Sequence, residues 1–212
     1  TSSGSMAGEC AAISGNDTIN FAVDGPFTLS GQLPAVTSHI TIVGSGVEST
    51  IIQASICDPV TLPNGCIPSN YRVMEVAVGG VLLLNDVTVR HGFVDNKLAR
   101  RDQAAADGDS TFSGNVAQTG GGVNHHGSPL SVTDSLFFDN SSGSGGGGAI
   151  NADTVSVIGS GIEGNGSDIG GGIFGDIITV GDSAISGNQV TFNGVGGGIY
   201  ALSSVTVISS VI

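Results

Sequence analysis

Glycine triplets recur along the second half of the chain at a spacing that points to stacked coils. They begin at Gly120, Gly146, Gly170 and Gly196, offsets of 26, 24 and 26 residues, and each leads into an apolar residue. A second register runs beside them in "STFSGN", "SLFFDN", "SGIEGN" and "SAISGN". It aligns Ser110, Ser135, Ser160 and Ser183, then Phe112, Phe137, Ile162 and Ile185, then Asn115, Asn140, Asn165 and Asn188. Between the registers lie short alternating pieces: "LSV" (130–132), "VSV" (155–157), "ITV" (178–180) and "VTV" (205–207). Three strand-like pieces per about 25 residues, with no helical period, mark the coil of a β-solenoid.

The earlier chain follows the same logic with fewer glycines. "LLLNDVTVRHG" (82–92) matches "LSVTDSLFFDN" (130–140) at an offset of 48, and "HITIVGSG" (39–46) and "STIIQAS" (49–55) read as strands before it. The expectation is an all-β fold, a right-handed parallel β-helix of about eight coils, roughly 40 Å long at about 4.8 Å between strands. Stacking sets each residue above its counterpart, so Ile, Val and Phe form apolar ladders inside. Asn115, Asn140, Asn165 and Asn188 then form an internal amide ladder at one turn. Glycine supplies φ > 0 and close backbone approach at the turns. A phosphate-binding reading of the triplets fails, because it needs a following helix and usually a Lys, and here a strand follows.

One stretch departs from the repeat: "FVDNKLARRDQAAADGD" (93–109). Its helix formers predict a short helical insertion that decorates or caps the coils. Lys97, Arg100 and Arg101, three of the chain's five basic residues, make it a candidate partner contact.

Charge narrows the partners. A formal net charge of −13 makes nucleic acid and anionic membrane surfaces repulsive. No apolar run approaches the roughly 20 residues that span a bilayer, so direct membrane insertion is not expected. The opening "TSSGSMAGEC" has neither a basic n-region nor an apolar h-region, and there is no initiating Met, which reads as a mature form or fragment. The closing "VTVISSVI" stops in mid-coil, so residues 1–212 read as a single β-helix domain within a longer polypeptide. Val211 and Ile212 at its open edge are candidate contacts for self-assembly through coil ends. Cys57 and Cys66 flank "DPVTLPNG" inside a Pro-containing loop (56–70) short enough for a disulfide, the alternative being two reduced thiols. A disulfide implies an oxidising, extracytoplasmic compartment.

Three blocks occur in a fixed order: "GNDTINFAVDGPFTLSGQLPAVTSHITIVGSG" (15–46), "YRVMEVAVGGVLLLNDVTVRHG" (71–92), and then the GGG-apolar and S-x-[FI]-x-x-N coils. That order resembles bacterial surface exoproteins with a CSLREA-type N-terminal region and polymorphic-outer-membrane-protein-like repeats. The leading "ECAAI" (9–13) fits the Cys-containing start of that family but lacks its usual Leu-Arg-Glu run. The resemblance implies a secreted or surface-attached parallel β-helix used in adhesion or as a stalk. Its partners would be other protein chains or host and surface glycans.

β-Helix lyases need a Lys or Arg base, and hydrolases need convergent carboxylates. No basic residue occurs in 110–212, and the outward coil positions are mainly Ser, Thr, Asn and Gly. Asp86 and Asp134 share a repeat position two repeats apart. Asp139 with Glu163, and Asp153 with Asp176, read as solvated turn residues. His125 and His126 in "NHHG" could offer two adjacent imidazoles to a transition metal, but adjacent strand residues face opposite ways, and the pair, directly after a GGG turn, reads as a surface turn. His39 and His91 read as packed or solvated. Asp107 and Asp109 hint at calcium, but the spaced oxygen ligands of a full loop are missing. No zinc-like Cys/His spacing occurs, and no cofactor is expected. Thr133, Thr179 and Thr206 do not build the regular array of an ice-binding face. The chain therefore reads as a non-enzymatic, extracellular or cell-surface structural and adhesive module. The alternative is a polysaccharide lyase or hydrolase on a β-helix scaffold, with Arg72, Arg90 or a nearby Asp as the groups to replace.

Overall fold

Each coil begins with a strand whose apolar residues alternate, and alternation with period two puts one row inside. In the computed structural model, which describes residues 16–77, 79–94, 105–106 and 108–212, these strands form an eight-stranded parallel sheet. Its members are Asn16–Asn20, His39–Val43, Val81–Asn85, Ala105–Ala106, Val123–Thr133, Ile150–Ile158, Ile173–Gly181 and Ile199–Ile208. A second, seven-stranded sheet holds Gly25–Thr28, Thr50–Gln53, Thr88–Arg90, Thr111–Ser113, Leu136–Phe138, Gly161–Glu163 and Ala184–Ser186. A third, in the later coils only, holds Val116–Ala117, Ser141–Ser142, Gly166–Ile169 and Gln189–Val195. The chain is thus an all-β parallel β-solenoid of about seven turns, with no helix among the described residues. The count is one below the expected eight because the last coil is only begun. Past Ile208 it returns to the second sheet as the single bridge Ala184↔Val211.

Pairing is in register, so like residues stack. Leu130, Val155, Ile178 and Val205 form one row of the long sheet, and Val132, Val157, Val180 and Val207 form another. In the second sheet the inward row runs Phe27, Ile52, Val89, Phe112, Phe137, Ile162, Ile185. Phe112 and Phe137 stack there with ring centroids 4.6 Å apart and planes 10° from parallel. Each such buried side chain stabilises by about 1.5–3 kcal/mol.

The corners explain the rest of the repeat. Between the long and second sheets, Asp86, Asp109, Asp134 and Asp182 adopt φ of 57, 42, 45 and 48°. Asp tolerates this left-handed region through local hydrogen bonding. Between the second and third sheets the left-handed position falls on His91, Gly114, Asp139, Gly164 and Gly187. At the third corner it falls on Gly120, Gly147, Gly170 and Gly196. The four-glycine run therefore phases one residue later than its spelling suggests. Val123 pairs with Ile150, so Gly147 rather than Gly146 is the counterpart of Gly120. The next glycine of the triplet is required by space: a Cβ on Gly121 would collide with the Gly148 carbonyl oxygen of the coil above. The third place admits a side chain in one coil, where fully buried Ala149 occupies it.

The expected helical insertion at 93–109 falls for the most part, at 95–104 and 107, outside the described residues. Its described ends belong to the solenoid. Phe93 bridges to Val116, and Ala105–Ala106 pairs with Leu83–Leu84 on one side while Ala106 pairs with Val132 on the other.

Candidate functional site

The four expected asparagines lie inside the second corner, and each binds its neighbours. Asn115 Nδ2 donates to Asn140 Oδ1 at 3.0 Å, Asn140 Nδ2 to Asn165 Oδ1 at 3.0 Å, and Asn165 Nδ2 to Asn188 Oδ1 at 2.9 Å. Each Oδ1 also accepts the backbone N–H of the preceding asparagine, and the first rung extends to Gly92 N at 2.9 Å. Each Nδ2, that of Asn188 included, also donates to a second-sheet carbonyl: Val89, Phe112, Phe137 and Ile162. A parallel serine ladder at the first corner runs from Ser110 N to Ser135 Oγ, Ser135 N to Ser160 Oγ, Ser160 N to Ser183 Oγ, and Ser183 N to Ser210 Oγ, at 3.0–3.2 Å. The serine register was visible in the repeat, but its hydrogen bonding was not. These ladders satisfy corner backbone groups and are structural.

Cys57 and Cys66 form a disulfide. It closes a loop further fixed by Asp58, whose Oδ1 accepts from Val60 N at 2.8 Å and whose Oδ2 accepts from Thr61 Oγ1 at 2.9 Å. Lys97, Arg100 and Arg101 lie outside the described residues. Val211 and Ile212 are 70 % and 58 % exposed at the last coil.

The histidine pair departs from expectation. His125 and His126 lie within the strand Val123–Thr133, not in a turn, because the glycine corner is completed before them. His125 points inward and is 2 % exposed, with Nε2 2.8 Å from the Ser128 carbonyl oxygen across the bulge between His125 and Pro129. His126 points outward and joins Asn124, Asn151 and Asp153 in one cluster. Its Nδ1–H donates to Asp153 Oδ1 at 2.6 Å. Its Nε2 lies 3.2 Å from Asn151 Nδ2 and 3.1 Å from Asn124 Oδ1. Neutral, the ring accepts from the first; protonated, it donates to the second. Asp153 Oδ2 also accepts Gly127 N at 2.9 Å, and Asn151 Nδ2 donates to Asn124 Oδ1 at 2.8 Å. Asn151 is 3 % exposed, and its Oδ1 has no hydrogen-bond partner.

Asp153 and Asp176 also lie in strands rather than at a turn. Their flanking residues pair as Ala152↔Gly175 and Thr154↔Ile177, which gives the two carboxylates equivalent places on adjacent strands. The row beside them continues from Asn124 and Asn151 to Phe174 and Tyr200, whose rings stack 5.8 Å apart and 4° from parallel. The outer face of the long sheet thus carries amides, an imidazole–carboxylate pair and stacked aromatics in one stripe. The stripe joins alternate residues of successive strands, which a reading of one coil at a time misses. Among the described residues no three His, Cys, Asp or Glu side chains gather as metal ligands.

A Chlamydia polymorphic membrane protein repeat matches residues 134–153. The matched piece runs from the Asp134 corner through Phe137, Asn140 and the glycine corner to Asp153, most of one coil including both ladder residues. That similarity, with the parallel solenoid, fits a polymorphic-membrane-protein-like β-helix. No curated protein and no solved structure matches the chain.

Proposed function

We propose that the chain is a non-enzymatic structural and adhesive module of a bacterial surface or secreted protein. In this reading a stiff solenoid displays its outer faces to other protein chains or to surface glycans. The observation that carries it is the repeat match over 134–153, because that coil contains the ladder corners together with Asn151 and Asp153 of the outward stripe. The stripe suits contact: aromatic rings and amides provide flat, amphipathic area.

Beads coated with the purified chain and presented to cultured host cells test the reading. Saturable attachment that drops at least fivefold in Tyr200→Ala with Asn124→Ala, while the circular dichroism stays unchanged, is expected. Attachment equal to that of uncoated beads sinks it. Negative-stain microscopy of the same preparation tests association through coil ends, and uniformly single particles overturn that part. The His126–Asp153 pair favours one second reading, a carbohydrate-active enzyme, since an imidazole held by a carboxylate is proton-transfer equipment. Turnover of neutral or acidic polysaccharides that is lost in His126→Asn would replace the adhesive reading with that one.

A further inference from the structure

We propose that Arg90 is the anchor of a binding site for a singly charged sugar carboxylate on the outer face of the second sheet. Arg90 ends the strand Thr88–Arg90, and its outward row runs Thr28, Gln53, Arg90, Ser113, Phe138, Glu163 on successive strands. The chain has 18 acidic and 5 basic residues, so an arginine with nothing to do would be expected to take one of its carboxylates. Arg90 takes a neutral amide instead. Its Nε donates to Gln53 Oε1 at 2.8 Å, and Gln53 Nε2 donates to Thr28 Oγ1 at 2.7 Å.

The holding arrangement is built rather than incidental. Gln53 is 2 % exposed, so its amide is fixed in the sheet and fixes the guanidinium plane through Nε. A guanidinium held by Nε keeps both terminal amino groups for a planar, two-pronged acceptor, and a carboxylate fits that fork with two parallel bonds. The surrounding field selects the charge of the ligand. A net charge of −13 repels polyanions and doubly charged phosphate more than a monoanion.

The row selects the rest of the ligand. Phe138, half-buried, lies two strands from Arg90, about 10 Å at the spacing of parallel strands. Ser113 lies between them, and Glu163 lies beyond the ring. Ser113 is 6 % exposed and only spaces the two ends. The groups left to a ligand are the guanidinium at one end, the aromatic surface at the other and a carboxylate beyond it, which match the acid group, ring face and hydroxyls of a sugar acid of one or two rings. The site stands on Arg90 whether or not the chain adheres to cells.

Titration of the folded chain, followed by nuclear magnetic resonance, tests the site with glucuronate and N-acetylneuraminate against glucose, acetate and inorganic phosphate. Both sugar acids are expected to saturate, with shifts centred on residues 88–90 and 111–113, and glucose to give none. Arg90→Gln should weaken the sugar acids at least tenfold. Gln53→Glu, which supplies an internal carboxylate to Arg90, should abolish binding while leaving the melting temperature at or above that of the parent. Failure of both sugar acids to saturate overturns the proposal, as does unchanged affinity in Arg90→Gln. Acetate binding as tightly as the sugar acids removes the sugar from the assignment, and tighter phosphate binding removes the carboxylate.

Discussion

Between Asn115 and Asn188 each coil turns its second corner on an asparagine bonded to the next. In the first two coils, the corner carbonyls of Leu29 and Ala54 are both met by one hydroxyl, that of Tyr71, at 2.8 Å each. The later region repeats one device at every rung. The earlier one uses single long-range contacts: Tyr71, the Cys57–Cys66 bridge, and Thr88 Oγ1 donating to the Val47 carbonyl oxygen at 2.7 Å. A ladder shares each oxygen between two donors, so losing a rung exposes groups above and below it. A single contact fails alone.

The sharpest break should come from the middle of the ladder. Asn140→Ala removes the acceptor of Asn115 N and Asn115 Nδ2 and the donor to Phe112 O, at a residue 1 % exposed. Asn115 N and the Phe112 carbonyl lose this partner in the interior, and Asn115 Nδ2 keeps only its bond to the Val89 carbonyl, at a cost of about 3–4 kcal/mol. Asn188→Ala strips the same kinds of group, but Asn188 is partly exposed and water can replace it, so the loss should be about 1–2 kcal/mol. Urea denaturation of the two variants compares them directly. Equal losses would show that burial does not set the strength of the ladder.

The one-off devices should each cost less than a middle rung. Opening the disulfide as Cys57→Ser with Cys66→Ser frees a loop of 9 residues' separation, worth about 2–3 kcal/mol on the loop-entropy account. Tyr71→Phe removes the one proton that the Leu29 and Ala54 carbonyl oxygens share and should cost about 1–2 kcal/mol. Hydrogen exchange reports where the loss falls. For Tyr71→Phe, protection should drop in 25–54 and hold in 150–188. A uniform drop would mean that the solenoid unfolds as one unit, without the regional difference.

The same division governs what could be read from sequence. Devices that recur are legible, since period brings Asn115, Asn140, Asn165 and Asn188 into one column and puts Phe112 on Phe137. The Cys57–Cys66 loop was legible from its shortness. Tyr71 was not, because nothing local links it to Leu29, 42 residues away. "NHHG" misleads for another reason: a turn is inferred from glycine and polar residues. The corner is in fact already made at 120–122, and the strand tolerates Gly127 through a bulge. The phase of the four-glycine run was ambiguous in spelling and is decided by the pairing of Val123 with Ile150. The outward stripe and the Arg90 row cross coils that differ in sequence, so no repeat announces them.

His91 tests the earlier region through pH, with the smallest expected effect. It occupies the left-handed corner at φ 61°, where the next coil has Gly114, and its Nδ1–H donates to the Ser55 carbonyl oxygen at 2.8 Å. Burial pushes its pKa below the ordinary 6.5, and the adjacent Arg90 adds to that, while the Ser55 bond and Asp58 pull the other way. An unfolded chain therefore protonates this ring before the folded one does. Over that window the unfolded state binds more protons, so stability rises with pH. The benefit of a neutral His91 is complete above the ordinary value and is lost as pH falls through it toward the lower, folded one. Asn accepts the left-handed corner but does not titrate. His91→Asn should therefore flatten the dependence of melting temperature on pH between neutrality and about 5, the range in which histidine changes charge. Arg90→Gln should steepen nothing and, by removing a neighbouring positive charge, should narrow the window. Parallel curves for the parent and His91→Asn would place the acid sensitivity elsewhere, and the early coils would then owe it to their carboxylates.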